Sequence, residues 1–370
     1  MDIVSVFSRP ALRWLVPSAA AVVVIGGGAV AGTLVASADS SLPERSAAQL
    51  LVDVQNAKVD GLSGTIVESA DLGLGALGSL AQSSGDLTSL LGGSNTARVW
   101  YAGETKARLA LIGTSGETDV IRNGPDVYVW KSADKTASHL TIPAGAASHQ
   151  EQLPSALPQT PQEAADAALA AIDDTTAVST TGAAKVAGRD AYELVLSPKD
   201  SASLIGQVRL AIDAEKHIPL RVDVYAKNAT SPAVRVAFQQ ISFAVPDAEQ
   251  FVFKAPPGTK VTEGSVADIE KQQKAAAQKA EAAKPQLAEG PKVIGKGWTS
   301  IVSAKLPKSD GSAPAEAQQA QGLIGMLPAA SGSWGKGHVF AGTLFSVLVT
   351  DDGRVFAGAV TPEKLYEAAA

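Results

Sequence analysis

Between residues 208 and 227 apolar and polar side chains alternate. Val208, Leu210 and Ile212 form one apolar row, and Leu220, Val222, Val224 and Ala226 form another. Arg221, Asp223, Tyr225 and Lys227 point the opposite way. A period of two belongs to a β-strand with one face buried and one face wet. The same texture runs from Gly61 to about Val261, and this constrains the fold most. "LSGTIVES", "ARVWYAG", "KARLALIG", "TDVIRNG", "DVYVWKS" and "ASHLTI" are followed by "AAKVAGRD", "AYELVLSP", "QVRLAID", "LRVDVYAK" and "AVRVAFQQISFAV". Gly, Asn, Asp or Ser turn signals separate most of them. The expectation is a long antiparallel meander with one apolar and one polar face.

The segment "DAEKHIP" joins two of these runs and carries Asp213, Glu215 and His217. Its length and polarity make it the solvated tip of a hairpin. An acid–base site would also need a pocket and a third orienting group, and nothing in the sequence specifies them.

Helical patterns are fewer. In "SLPERSAAQLLVDVQNAK", 41–58, Ser41 and Glu44 have capping-box spacing with Pro43 in the first turn. Ala47, Leu50, Leu51, Val54 and Ala57 then share one face of an amphipathic helix. "PQEAADAALAAI", 161–172, predicts an alanine-rich helix. The Ala/Lys/Gln/Glu stretch 266–290 predicts an exposed helical spacer. Beyond it, 291–370 reads as a small α/β module with a helix near 315–326. There Asp352-Gly353 marks a hairpin, so Asp351 and Asp352 are turn residues rather than metal ligands. The leucine-rich segment 71–96 reads either as short helices packed on the sheet or as an apolar flap over a cavity.

The N-terminus points to export. Arg9 and Arg13 precede a stretch without charge from Trp14 to Ala38, long enough to span a bilayer with some tilt. The positive flank stays cytoplasmic, so the bulk of the chain faces outward on the cell membrane, single-pass. The stretch ends Ala36-Ser37-Ala38, which also fits a signal-peptidase site. An uncleaved anchor is favoured by its length; cleavage after Ala38 would secrete the protein.

Composition removes several chemistries. With no cysteine there is no disulfide, thiolate metal site or cysteine nucleophile. The formal charge of −6, from 31 basic and 37 acidic residues, opposes nucleic-acid binding. His139, His149, His217 and His338 never reach metal-ligand spacing. "GPKVIGKG", 290–297, imitates a phosphate loop but has Gly297 where Ser or Thr belongs and no strand before it. "GTSGE", 113–117, lacks the second glycine of a nucleophile elbow. A non-enzyme without cofactor or metal is expected.

Five segments carry a resemblance: "ARVWYAGETKARLAL" (97–111), "VIRNGPDVYVWKS" (120–132), "AGRDAYELVLSPKD" (187–200), "VRLAIDAEKHIPLRVDVY" (208–225) and "FVFKAPPGTKV" (251–261). In their order and spacing the chain resembles the LolA/LppX/RseB superfamily of lipid- and lipoprotein-binding proteins, in its actinobacterial membrane-anchored form. It is longer than the soluble Gram-negative carrier, carries a tether, and adds the module 291–370. The resemblance implies an α+β fold: a long antiparallel sheet curled into a half-open barrel, with helices on its concave side, after an N-terminal transmembrane helix. It implies four regions: an anchor or signal segment (1–38), a half-barrel domain (39–262), a helical spacer (263–290) and the C-terminal module (291–370). The implied ligand is a lipid or acylated lipoprotein in a hydrophobic cavity. The second reading, like RseB, is a sensor or regulator that binds a membrane signalling protein.

Trp100, Tyr128 and Trp130 lie on early strands of that half-barrel, with Leu87, Leu90 and Leu91 in the leucine-rich segment. These six are the expected cavity lining. Alternation sets Tyr128 and Trp130 on one face and Val127 and Val129 on the other. The competing reading makes the aromatics an ordinary core between sheet and helix.

Overall fold

The computed structural model describes residues 42–74, 93–113, 116–142, 160–264 with breaks at 163–164, 166–168 and 170–171, then 289–306, 322 and 324–370. These residues are mostly sheet, with few helices. The Trp14–Ala38 stretch, Leu87, Leu90, Leu91, the spacer up to 288 and most of the expected helix near 315–326 lie outside them. Among the described residues no helix is long and apolar enough to cross a membrane.

Twelve strands make the large sheet. They are β1 (Gly61–Ala70), β2 (Gly93–Ala102), β3 (Lys106–Gly113), β4 (Gly116–Asn123), β5 (Asp126–Lys131) and β6 (Thr136–Thr141), then β7 (Thr176–Val186), β8 (Arg189–Pro198), β9 (Ile205–Asp213), β10 (Pro219–Ala226), β11 (Pro232–Ser242) and β12 (Lys260–Gly264). Their spatial order is β12-β6-β5-β4-β3-β2-β1-β11-β10-β9-β8-β7. Two meanders, β2–β6 and β7–β11, are therefore joined through β1. Every neighbouring pair is antiparallel except β6 and β12, which run parallel. The sheet is curled but not closed, since its edges β12 and β7 are not joined.

Local chemistry sets the turns. Gly103, Gly124 and Gly188 turn the chain with φ of 70°, 65° and 78°, a region glycine enters without steric cost. At the seam, register shifts between Thr65 and Ile66 because Gln239 is an extra residue in β11. Gly64 is required beside this bulge: a Cβ there would lie 2.6 Å from the Gln240 carbonyl oxygen and 2.8 Å from the Phe238 ring.

One face of the sheet carries the main core. Leu194 and Leu196 of β8, Leu210 and Ile212 of β9, and Val222 and Val224 of β10 are buried there together. Helix α1 (Ala47–Asn56) packs on them through Leu50 and Val54. Its capping box starts at Ser46 and Gln49, five residues beyond the Ser41–Glu44 pair picked from sequence. Ser41–Glu44 and Ser46–Gln49 have the same spacing, and the second pair directly precedes the alanine and leucine run that can continue the helix.

The β9–β10 hairpin forms where the sequence puts it, but its acid residues differ. Glu215 is exposed, as a tip residue should be. Asp213 is fully buried, which corrects the expectation of a wholly solvated tip. Arg189 of β8 reaches it with two guanidinium N–H groups, and the Glu215 and Lys216 amides donate to its Oδ1 at 3.0 and 2.7 Å. A carboxylate that holds its own turn together cannot also face water.

The smaller sheet has six strands: β13 (Glu289–Ile294), β14 (Ile301–Lys305), β15 (Ala329–Gly332), β16 (Gly335–Ala341), β17 (Ser346–Thr350) and β18 (Arg354–Gly358), ordered β13-β14-β18-β17-β16-β15. Helix α2 (Pro362–Ala369) covers it, with Tyr366 stacked on Trp334 at 5.4 Å. The Asp352-Gly353 turn joins β17 to β18, with Gly353 at φ 87°. Trp298, Leu344 and Ala359 of this module enter the core of the large sheet. Trp298 Nε1 donates to Thr176 Oγ1 at 2.6 Å, and Ser203 Oγ donates to the Ala359 carbonyl at 2.8 Å. The segment that imitates a phosphate loop is part of this docking. Gly297, at φ 59°, lies against Thr175, whose side chain a Cβ would strike.

Candidate functional site

Cross-strand register assigns every side chain of β1–β6 to a face. On the α1 side one row reads Val129, Val120, Leu109, Val99, Gly64 from β5 to β1. The next reads Lys131, Thr118, Leu111, Ala97, Ile66. Val99, Leu109, Leu111, Val120, Val127 and Val129 are only half-buried, in contrast to the fully buried Leu194, Leu210 and Leu220 of the other meander. One continuous sheet face is thus a finished core at β8–β11 and a half-covered aliphatic surface at β2–β5. Such a surface suits flexible hydrocarbon, which needs area and no hydrogen bonds.

Glu68 stands where the two halves meet. Its row runs Asn95, Glu68, Val236, Val222, Leu210, Leu194. Glu68 is 5% exposed, and Asn95 Nδ2 donates to its Oε2 at 3.5 Å, a long hydrogen bond. Burial pushes its carboxyl up from 4.5 to about 7, against a small opposing effect of Asn95. An acid with three aliphatic rows beside it is easier to keep neutral than charged.

Trp100 on β2 and Tyr128 and Trp130 on β5 share the opposite face, three strands apart. Trp100 pairs across from Arg108, Arg108 from Ile121, and Ile121 from Tyr128. Trp130 pairs with Asp119 and Ala137. Residues 243–259, between β11 and β12, cross this face. Their 3-10 turn Ala248–Phe251 buries Phe251 to 1% exposure, and the Gln250 carbonyl accepts from Arg108 Nη1 at 3.4 Å. Phe253 stacks on Tyr128 at 4.8 Å, and Tyr128 stacks on His139 at 4.3 Å. Arg108 sits over Trp100 at 5.0 Å and pairs with the buried Asp119 at 2.6 Å. The strap therefore covers Tyr128, and Arg108 with it, on the face opposite α1 and the half-covered aliphatic rows.

Two further groupings escaped the sequence. His139 bridges Asp126 (Nε2 to Oδ1, 3.0 Å) and Glu263 of β12 (Nδ1 to Oε2, 2.6 Å). The Asp126 hydrogen bond chiefly raises its pKa, burial opposes this, and Glu263 adds to it. On the polar face of β8–β11, Asp223 is fully buried between Arg221 (3.0 Å) and Arg235 (2.6 Å), while Glu193 accepts from Arg221 at 2.8 Å. Residue spacing alone shows neither, because each is assembled from different strands. Among the described residues no cluster of His, Asp or Glu could hold a metal ion. A cleft of about 640 Å³ opens between residues 42–46 and β7, with Arg45, Glu44 and Tyr192 in its wall. Its lining is mixed, and it lies apart from the aliphatic rows of β2–β5.

Residues 93–261 match the family model of the MucB/RseB N-terminal domain. The match spans all five segments that carry the superfamily resemblance in the sequence. Among solved structures, the complex of MucA and MucB from Pseudomonas aeruginosa is similar at 14% identity and TM-score 0.41, over 87% of this chain and 96% of that one. A LolA superfamily protein from Nitrosomonas europaea is similar at 11% identity and TM-score 0.24, over 57% of this chain and 99% of that one. No curated protein matches the chain.

Proposed function

With residues 93–261 carrying a MucB/RseB-type domain of the LolA/RseB-like superfamily, we propose that this chain is an exported binding protein that holds a lipid or the acyl chains of a lipoprotein. In this reading residues 14–38 tether it to the cell membrane, and it makes or breaks no bond. The observation that supports it most is the half-buried aliphatic surface of Val99, Leu109, Leu111, Val120 and Val129, continuous with the closed core of β8–β11. Acyl chains laid on that surface would gain about 25 cal/mol for each Å² of apolar area removed from water.

The family match favours a second reading, a regulator that binds a membrane signalling protein, since the Pseudomonas aeruginosa relative is seen in complex with MucA. Native mass spectrometry of protein extracted from its own membrane separates the two. A retained acylated lipid supports the first reading, and a stoichiometric protein partner without lipid supports the second. Polar substitution of the aliphatic rows, Leu109→Asn with Val120→Asn, should also weaken binding of a fluorescent acyl probe. Unchanged probe binding in that folded variant would remove this face from the proposal.

A further inference from the structure

A hydrocarbon surface needs no carboxylic acid, yet Glu68 points to the same side as the aliphatic rows. It is 5% exposed and has Asn95 beside it. The neighbouring rows supply Ile66, Ala97 and Leu111 on one side and Ala70 and Val234 on the other. The nearest charge along the chain is the exposed Asp71, three residues on, just past the end of β1. On this face Lys131 of β5 lies four strands away and Arg122 of β4 three, about 14–19 Å at ordinary strand spacing. Near α1, Arg45 and Asp53 pair with each other. Among the described residues no cation pairs with Glu68, and Asn95 can donate or accept but carries no charge.

Resting on the lipid-binding reading above, we infer that Glu68 and Asn95 form the head-group seat of this face, taking acyl ligands with an uncharged ester, amide or alcohol head and rejecting anionic heads. A neutral carboxyl offers one O–H donor and a carbonyl acceptor, and the Asn95 carboxamide offers two N–H donors and an acceptor. Together they match a group that both accepts and donates. A carboxylate or phosphate would bring an unpaired negative charge into an apolar surrounding, which is strongly unfavourable. The position fits as well: a head at Glu68 leaves its chain free to run over Leu111, Leu109 and Val120.

The pH dependence follows. With the Glu68 carboxyl at about 7, its neutral fraction falls about tenfold between pH 6 and pH 8. The test uses the full chain in lipid nanodiscs, with 1-monoolein and oleate competing against a fluorescent acyl probe. Monoolein should compete about tenfold less well at pH 8 than at pH 6, and Glu68→Gln should compete equally at both. At pH 8 oleate should compete more weakly than monoolein, and more clearly so in Glu68→Gln, where a neutral side chain restores monoolein but offers no cation to an anionic head. Monoolein competition that ignores pH in the native chain would overturn the inference and leave the lipid-binding reading intact. Monoolein competition that strengthens with pH would overturn it too, by showing that the ionised carboxylate is the better seat for a hydroxyl-bearing head. Should neither lipid displace the probe at any pH, and the probe itself fail to bind, the lipid-binding reading falls and this inference with it.

Discussion

Replacing Asp213 tests whether the β9–β10 turn is built on its acid or merely decorated by it. Its Oδ1 accepts from the Glu215 amide at 3.0 Å, the Lys216 amide at 2.7 Å and Arg189 Nη2 at 3.0 Å, and Oδ2 accepts from Arg189 Nε. Asp213→Ala removes all four. Hydrogen bonds to a charged group contribute about 1.5–3 kcal/mol each when the alternative is an unsatisfied partner. Water can replace the lost partner at Arg189, whose side chain is 28% exposed, but reaches the two turn amides less readily. The net cost should be about 3–4 kcal/mol. Asp213→Asn keeps an oxygen for both amides and loses the ionic pair, so about half that cost is expected. Glu215→Gln should leave stability unchanged within error, because Glu215 is 66% exposed.

Urea unfolding of the three variants and the native chain, compared through their midpoints, reads these differences. Acid adds a second check. Burial alone would raise the Asp213 carboxyl, but Arg189 and the Lys216 and Glu215 amides outweigh it and hold the group below its ordinary value of 3.8. A carboxyl depressed by folding stabilises the protein above its unfolded pKa, and that stability is lost as pH falls through the folded value. The gap between native and Asp213→Asn should be constant above about pH 5 and close at lower pH. If Asp213→Ala costs no more than Glu215→Gln, the buried-anchor argument is wrong.

His139, raised by Asp126, opposed by burial and raised further by Glu263, should clamp β12 most firmly below its ordinary pKa of 6.5 and lose that contribution as pH rises through its higher folded value. Amide exchange at Lys260–Gly264, corrected for intrinsic rates, should lose protection over that rise in native protein and not in His139→Asn; equal pH profiles would refute the clamp. Trp298→Ala empties a site only 3% exposed and should cost about 3–5 kcal/mol, with the smaller sheet melting in a separate calorimetric transition; one unshifted transition would mean the sheets do not depend on this ring. Trp130→Ala should destabilise the strap face while leaving acyl-probe binding as in the native chain, and a folded Trp130→Ala protein with weakened probe binding would return the aromatic face to the site.

The sheet was legible because period two is a local signal. Each strand needs only its own residues to show which side chains share a face, and Gly103, Gly124 and Gly188 mark their turns equally locally. The seam was not legible. Nothing within β1 says that its neighbours are β2 and β11, and the bulge opposite Gln239 makes sense only once Phe238 lies over Gly64. The same limit hid the buried charges. Asp223 and Arg235 alternate correctly as polar-face residues, but whether a polar face is wet depends on the arginines that neighbouring strands bring to it. Glu68 was hidden more deeply, since "TIVESA" alternates well enough with a glutamate on either side of the sheet.

The aromatic residues mark the point where hydropathy stops distinguishing faces. In β5, Tyr128 and Trp130 alternate with Val127 and Val129, so both faces read as apolar and ring size was the only guide to the cavity. Topology decides instead. β11 lies seven strand positions from β12, about 34 Å across the sheet at 4.8 Å per strand. A parallel partner for β6 cannot be reached by a hairpin, so residues 243–259 must cross one face of the sheet to deliver it. At about 3.3 Å per residue that segment is long enough to do so, and Phe251 and Phe253 are the side chains it presses down. Since the α1 side carries the core, the crossing falls on the other side, over Ile121, Tyr128 and Arg108. Tyr128 holds the strap through Phe253, and the smaller aliphatic residues, too plain to be noticed in the sequence, are left half-buried on the other face.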